Sequence, residues 1–289
     1  MTIIEKNLTG KKSPQTCEDG IVVTHDFVAV IDGSTSKTPR QVCPGTSNGR
    51  LAMLLVSDHI KETAADVSLS GFCKGASKVL RDVSASNDYP LPEQLQPHER
   101  MAASVAVYSR YHRAVWMIGD CMAMVDGKLY ENNKPAEAIN AAKRSRIIKA
   151  AMAEGHPVED FQTDDRGRSA ILSDIIASMA GQNREYAVID GTTVAEDKVV
   201  TIPLAADDAH EIILATDGYP FLCTTLAESE RHLAEQLSRD PLCIDTYQAT
   251  KGLMKGNLSF DDRAYIRFQI PALTEKNHQI PAITSPAQS

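Results

Sequence analysis

The chain has 289 residues, 43% apolar, 24% charged and 5% aromatic, the composition of a globular enzyme or binding protein able to bury a core without disulfides or structural metals. Thirty Lys and Arg against 38 Asp and Glu give a net charge of −8, which excludes a general binder of nucleic acid or anionic membrane, since both need a basic surface. Residues 1–6 mix acid and base without an apolar centre and are no signal peptide. The longest apolar runs, such as 51–56 and 27–31, fall short of a membrane span. The six cysteines form no Cys-x-x-Cys pair, so a zinc or redox motif is not indicated and the thiols read as reduced, in a cytoplasm.

In chain order, 21–23 and 27–31 read as two strands around the break Thr24-His25-Asp26. Helical spacing follows from about Asn48 (Leu51, Leu54, Leu55) and again through Phe72, Ala76, Val79, Leu80 and Val83. Three prolines make 86–99 a loop. A β-meander then spans 101–108, 114–118, 121–125 and 128–130, its last hairpin turning at Asp126-Gly127. Helices are expected over 136–153 and 169–179 with a charged loop, 159–168, between them, and the run Lys143, Arg144, Arg146 reads as a solvated helix face. Strands at 186–189, 198–202 and 211–216, helices at 226–237 and 244–254, and an alternating strand over 264–270 complete the pattern. Residues 271–289 read as a disordered tail and 1–270 as one α+β domain of antiparallel sheets covered by helices.

The chemistry is suggested by where acids fall relative to these strands. Glu18-Asp19 precedes the first, Asp32-Gly33 follows the second, Gly119-Asp120 sits inside the meander, Asp217-Gly218 follows 211–216, and Asp261-Asp262 precedes the last. Singly each is an ordinary turn or strand end. Gathered at one rim, these carboxylates would repel one another unless cations neutralise them, and an all-oxygen set without His or Cys suits Mg²⁺ or Mn²⁺. Without these seven acids, the rest of the chain nearly balances its 30 basic residues.

The ordered motifs Cys17-Glu18-Asp19, Val28-Ala29-Val30-Ile31-Asp32-Gly33, Ile118-Gly119-Asp120-Cys121, Leu214-Ala215-Thr216-Asp217-Gly218 and Phe260-Asp261-Asp262 resemble those of the type 2C metal-dependent protein phosphatases, the PPM family. The resemblance spans residues 18–270 and implies an α-β-β-α sandwich of two antiparallel sheets flanked by helices. It implies phosphoserine/phosphothreonine protein phosphatase activity with two Mg²⁺ or Mn²⁺ ions, in which a metal-bridging hydroxide displaces the substrate oxygen directly. Asp32 would bridge the ions with help from the Gly33 carbonyl, Asp217 and Asp261 would hold one ion, Glu18 would support the other, and Asp19 would orient their waters. Asp120 would belong to a third, weaker site, although Phe221 stands where a further acid for that site would be. Where the family carries a phosphate-gripping arginine this chain has Pro14, so Lys12 (or Lys11) and Arg40 become the candidates for that contact. Ser34-Thr35-Ser36 stands where some members have His. The partner implied is a phosphoprotein, with no nucleic acid and no membrane. No Cys-x5-Arg, P-loop or Gly-x-Ser-x-Gly motif offers another hydrolase chemistry. A catalytically weak or inactive phosphatase-like regulatory module remains the alternative.

Overall fold

The computed structural model describes residues 1–34 and 37–273. Thr35, Ser36 and most of the expected tail lie outside that set.

Strand β1 (Thr2–Thr9) leads into β2 (Asp19–Val23) and β3 (Phe27–Gly33), and helices α1 (Asn48–Glu62) and α2 (Leu69–Ser86) follow. Then come β4 (Ala103–Ser109), β5 (Ala114–Ile118), β6 (Met122–Val125) and β7 (Lys128–Tyr130). Four helices succeed them: α3 (Glu137–Ala153), α4 (Val158–Thr163), α5 (Arg166–Ala170) and α6 (Leu172–Met179). Strands β8 (Val200–Pro203) and β9 (His210–Ala215), helix α7 (Leu226–Arg239) and β10 (Arg263–Ile270) end the described order.

The strands form two five-stranded antiparallel sheets, β1-β10-β9-β6-β7 and β2-β3-β4-β5-β8. Residues 27–31 are buried on both faces, which is why they read as an unbroken apolar run. Val28, Val30, Tyr108 and Met117 pack inward against Ile212, Leu214, Ile266 and Phe268 of the other sheet. Phe27, Ala29, Ile31 and Trp116 point the other way, onto Val56, Ile60, Phe72 and Leu80 of α1 and α2. Met122, Ile213 and Tyr265 carry the outer face of the first sheet, beneath Tyr219, Leu222 and Leu226. The result is the expected α-β-β-α sandwich, and Ala264, Ile266, Phe268 and Ile270 do share its inner face.

Several local expectations are corrected. The charged segment 159–168 is largely helical, and the single helix expected over 169–179 is divided into α5 and α6 at Ile171. Residues 186–189 form no strand: Val188 donates its amide to the Asn183 side chain, and the segment makes isolated bridges at Ile189, to Ala103, and at Tyr186, to Gln182. Residues 244–254 form no helix, because the Ile244 and Asp245 amides bond the Asp240 carboxylate while the Ile244 and Ala249 carbonyls accept from Ser145 and Arg144. Those tertiary bonds replace the helical ladder. Arg144 belongs to the buried core of α3 rather than to a solvated face. Strand β1 was not expected at all; most of its residues are exposed, so burial imposes little pattern on it.

All six cysteines are free. Among the described residues no helix is long and apolar enough to cross a membrane.

Candidate active site

Antiparallel pairing explains why acids remote in sequence meet. Asp19 opens β2 opposite Asp32 near the end of β3, and Asp32 faces Ser104 at the start of β4. Strand β5 ends at the same rim, carrying the chain into Gly119-Asp120. In the other sheet the end of β9 lies beside the start of β10, with Ala215 opposite Tyr265 and Met122. That places Asp217 and Asp261-Asp262 across the sandwich from Asp32. Close backbone approach requires glycine twice here. A Cβ on Gly33 would strike the Gly49 carbonyl of α1, and Gly119 has φ +92° with Ser104 packed where its Cβ would be.

The cleft so formed is lined by Glu18, Asp32, Asp120, Asp217, Asp261 and Asp262, with the Gly33 backbone. Asp19 is buried behind this front, where it accepts a hydrogen bond from the Thr216 hydroxyl at 2.6 Å. Thr216 Oγ1 also accepts the Ala264 amide at 2.8 Å, so Asp19 joins the two sheets at the floor. Lys12 and Arg40 do not line the cleft. Lys12 is exposed while its neighbour Lys11 turns inward, and Arg40 is exposed with its carbonyl bonded to Asn48.

Of the cations in the cleft, sequence reasoning named only Lys11, as the alternative to Lys12, and missed the others. Lys11, Lys37, Lys134, Arg168 and Lys251 line the same cleft. Lys134 reaches Asp120 at 2.6 Å, and Ser104 donates to the same carboxylate at 2.6 Å. Burial opposes ionisation of Asp120, but Lys134 and these hydrogen bonds outweigh it and hold the carboxyl below its ordinary value. Lys251 pairs with Asp261. Lys11 reaches Asp262 at 2.9 Å, Asp261 at 3.3 Å and Glu18 at 3.8 Å, and Asp262 further accepts the backbone amides of Lys11 and Glu18. No spacing rule could have found these lysines, because their partners lie up to 251 positions away.

Asp32 and Asp217 are different. Among the described residues neither side chain is in an ion pair or accepts a hydrogen bond. Burial raises the Asp32 carboxyl well above its usual range, and Asp217, Asp120 and Asp261 raise it further. Burial and Asp261 act likewise on Asp217. On the cationic side, burial and the neighbouring Arg168 and Lys251 push Lys37 down to about 7. Burial also disfavours the Arg168 guanidinium, whose Nη1 donates to the Thr250 carbonyl at 2.7 Å and which forms no ion pair among the described residues.

The donor types suit a hard divalent cation in their chemistry: carboxylates and the Gly33 backbone line one cleft, and Asp32 and Asp217 carry repulsion that a dication would relieve. Among the described residues, however, no three acidic, His or Cys side chains are gathered in a geometry that could hold an ion. Lysines hold Asp120, Asp261 and Asp262 instead, so loading would require Lys11 and Lys251 to give way.

No protein-family model matches the chain, and no curated protein matches it. Among solved structures it is similar to the serine/threonine phosphatase PstP/Ppp of Mycobacterium tuberculosis, at 13% identity over 94% of this chain and 100% of that one, with a TM-score of 0.47. It is similar to the catalytic domain of the phosphatase PstP in complex with two manganese ions, at 11% identity over 93% and 100%, with a TM-score of 0.46. It is also similar to the PPM Ser-Thr phosphatase MsPP of Mycobacterium smegmatis in complex with cacodylate, at 11% identity over 94% and 100%, with a TM-score of 0.44.

Proposed function

We propose that the chain is a divalent-metal-dependent protein phosphatase acting on phosphoserine and phosphothreonine in a cytoplasm. The observation that supports this reading is the convergence of acidic strand ends from both sheets on one cleft that also holds unneutralised carboxylates and desolvated cations. Asp32, the Gly33 carbonyl, Asp217, Asp261 and Glu18 would hold two Mg²⁺ or Mn²⁺ ions. Asp120 is committed to Lys134 and Ser104, so no third ion is proposed. When bound, the ions supply Lewis acidity, acidifying a water and neutralising charge that develops on the phosphoryl oxygens.

The remaining work falls to the chain's own side chains. Arg168 and Lys37 replace Lys12 and Arg40 as the phosphate contacts. Each carries a charge disfavoured by burial that a phosphoryl dianion would restore, and the Arg168 fork can give two parallel bonds. Asp19, anchored by Thr216, buttresses the strand that presents Asp32. Lys134 keeps Asp120 ionised and the rim closed.

Arg168→Ala is expected to lower kcat/KM for p-nitrophenyl phosphate roughly 10- to 100-fold through loss of a charged hydrogen-bonding group, with Lys12→Ala and Arg40→Ala close to wild type. The function itself is tested by phosphate release from p-nitrophenyl phosphate and a phosphothreonine peptide with Mn²⁺ or Mg²⁺ and with chelator. Turnover that appears with metal and disappears with chelator is expected; its absence on every phosphosubstrate would leave the regulatory-module reading, which the lysine-held acids favour.

A further inference from the structure

The acidic cleft does not end at its own rim. Beside it lies a second depression lined by Leu172 of α6 and by Met254 and Phe260 of the segment before β10. The two hollows share Lys11, Glu18, Arg168 and Lys251, so a ligand in one continues into the other past a junction rich in positive charge. Leu172 is 42% exposed, Met254 is half-buried and Phe260 forms a buried floor. This is apolar surface kept open to solvent directly against an ionic site, and a small phosphate ester would leave it empty. A peptide would fill it, because an extended chain alternates its side chains and carries a neighbour's side chain along the surface beside the one that enters the cleft.

We propose that this groove seats an apolar side chain flanking the phosphorylated serine or threonine of a peptide substrate, with Arg168 and Lys251 at the junction between the phosphate and the apolar pocket. The occupant's class follows from the two halves: a dianion for the cationic junction and an aliphatic or aromatic residue for Leu172, Met254 and Phe260. The proposal rests on the phosphatase reading of the cleft for the position of the phosphoryl group, but its own evidence is the groove.

The test is fluorescence anisotropy with labelled phosphothreonine peptides in which leucine or aspartate is scanned through the flanking positions, catalysis being stopped by Asp32→Asn. Leucine at one flank is expected to bind about 10-fold or more tighter than aspartate, the scale of one buried aliphatic side chain. Adding Leu172→Asp or Met254→Gln is expected to bring the ratio within about 2-fold, while either substitution alone leaves turnover of p-nitrophenyl phosphate unchanged. Equal affinity at every flank, or a preference that survives both substitutions, would overturn the proposal. A preference that emerges only after removal of residues 274–289 would assign the groove to the chain's own C-terminal segment and would also overturn it. A flank preference lost in both variants, in a protein without turnover, would uphold the groove and remove the phosphatase reading.

Discussion

Asp32→Ala is expected to lower metal-dependent kcat/KM by at least about 10³-fold, the scale of removing a principal electrostatic element from a reaction centre. The same substitution is expected to stabilise the protein in chelator. Asp32 is half-buried and held near Asp217, Asp120 and Asp261 without an ion pair among the described residues, so its charge costs folding energy. The sign follows from linkage. A carboxyl held above its ordinary value of 3.8 in the folded state costs nothing where both states are protonated, and stability is lost as pH rises from that value toward the folded one. The gain in Tm for Asp32→Ala should therefore be larger at pH 7 than at pH 4, as differential scanning calorimetry can read. A variant that loses activity together with stability at neutral pH would show Asp32 to be structural. Activity gained at the expense of a repulsive cluster is a common trade at reaction centres.

The second large effect is expected at Arg144, fully buried in α3. Its Nε and Nη2 bond Asp165, the latter at 2.7 Å, and its Nη1 donates to the carbonyls of Leu242 at 2.8 Å and Ala249 at 3.1 Å. Arg144→Ala would strand a buried carboxylate and two carbonyls, and about 3–5 kcal/mol of stability is expected to be lost. Asp165 also caps α5 by accepting the Arg168 amide at 2.8 Å. The substitution therefore loosens the helix that presents Arg168, and KM should rise as well. Denaturant unfolding measures the first effect; a loss below about 1 kcal/mol would show that the neighbouring segments close over the gap.

Strands such as β3 and β9 were legible because each is a short apolar run punctuated by Asp-Gly, and antiparallel pairing then forced their acidic ends together. Apart from Lys11, the cations were not legible. Lys134 sits 14 positions after the acid it holds, Lys251 emerges from a segment whose helical periodicity is overridden by Asp240 and Arg144, and Arg168 belongs to what looked like a solvated loop. Arg144 itself looked like one member of a surface charge run; nothing local distinguishes it from Arg146, and only tertiary contacts bury it. The acidic excess consequently has a different meaning from the one composition suggested. The acids do converge, but five basic side chains enter the same cleft, so what distinguishes it is the unpaired repulsion at Asp32 and Asp217 more than its total charge.

Isothermal titration of Mn²⁺ into the metal-free protein measures the central claim most directly. Two ions per chain are expected, with binding weakened by at least about 10-fold in Asp32→Asn, the scale of losing one charged ligand, and strengthened in Lys251→Met, which removes one of the two lysines that hold Asp261. The absence of saturable binding in both the wild-type protein and Lys251→Met would contradict the account, because the acidic strand ends would then be neutralised by the chain's own lysines alone.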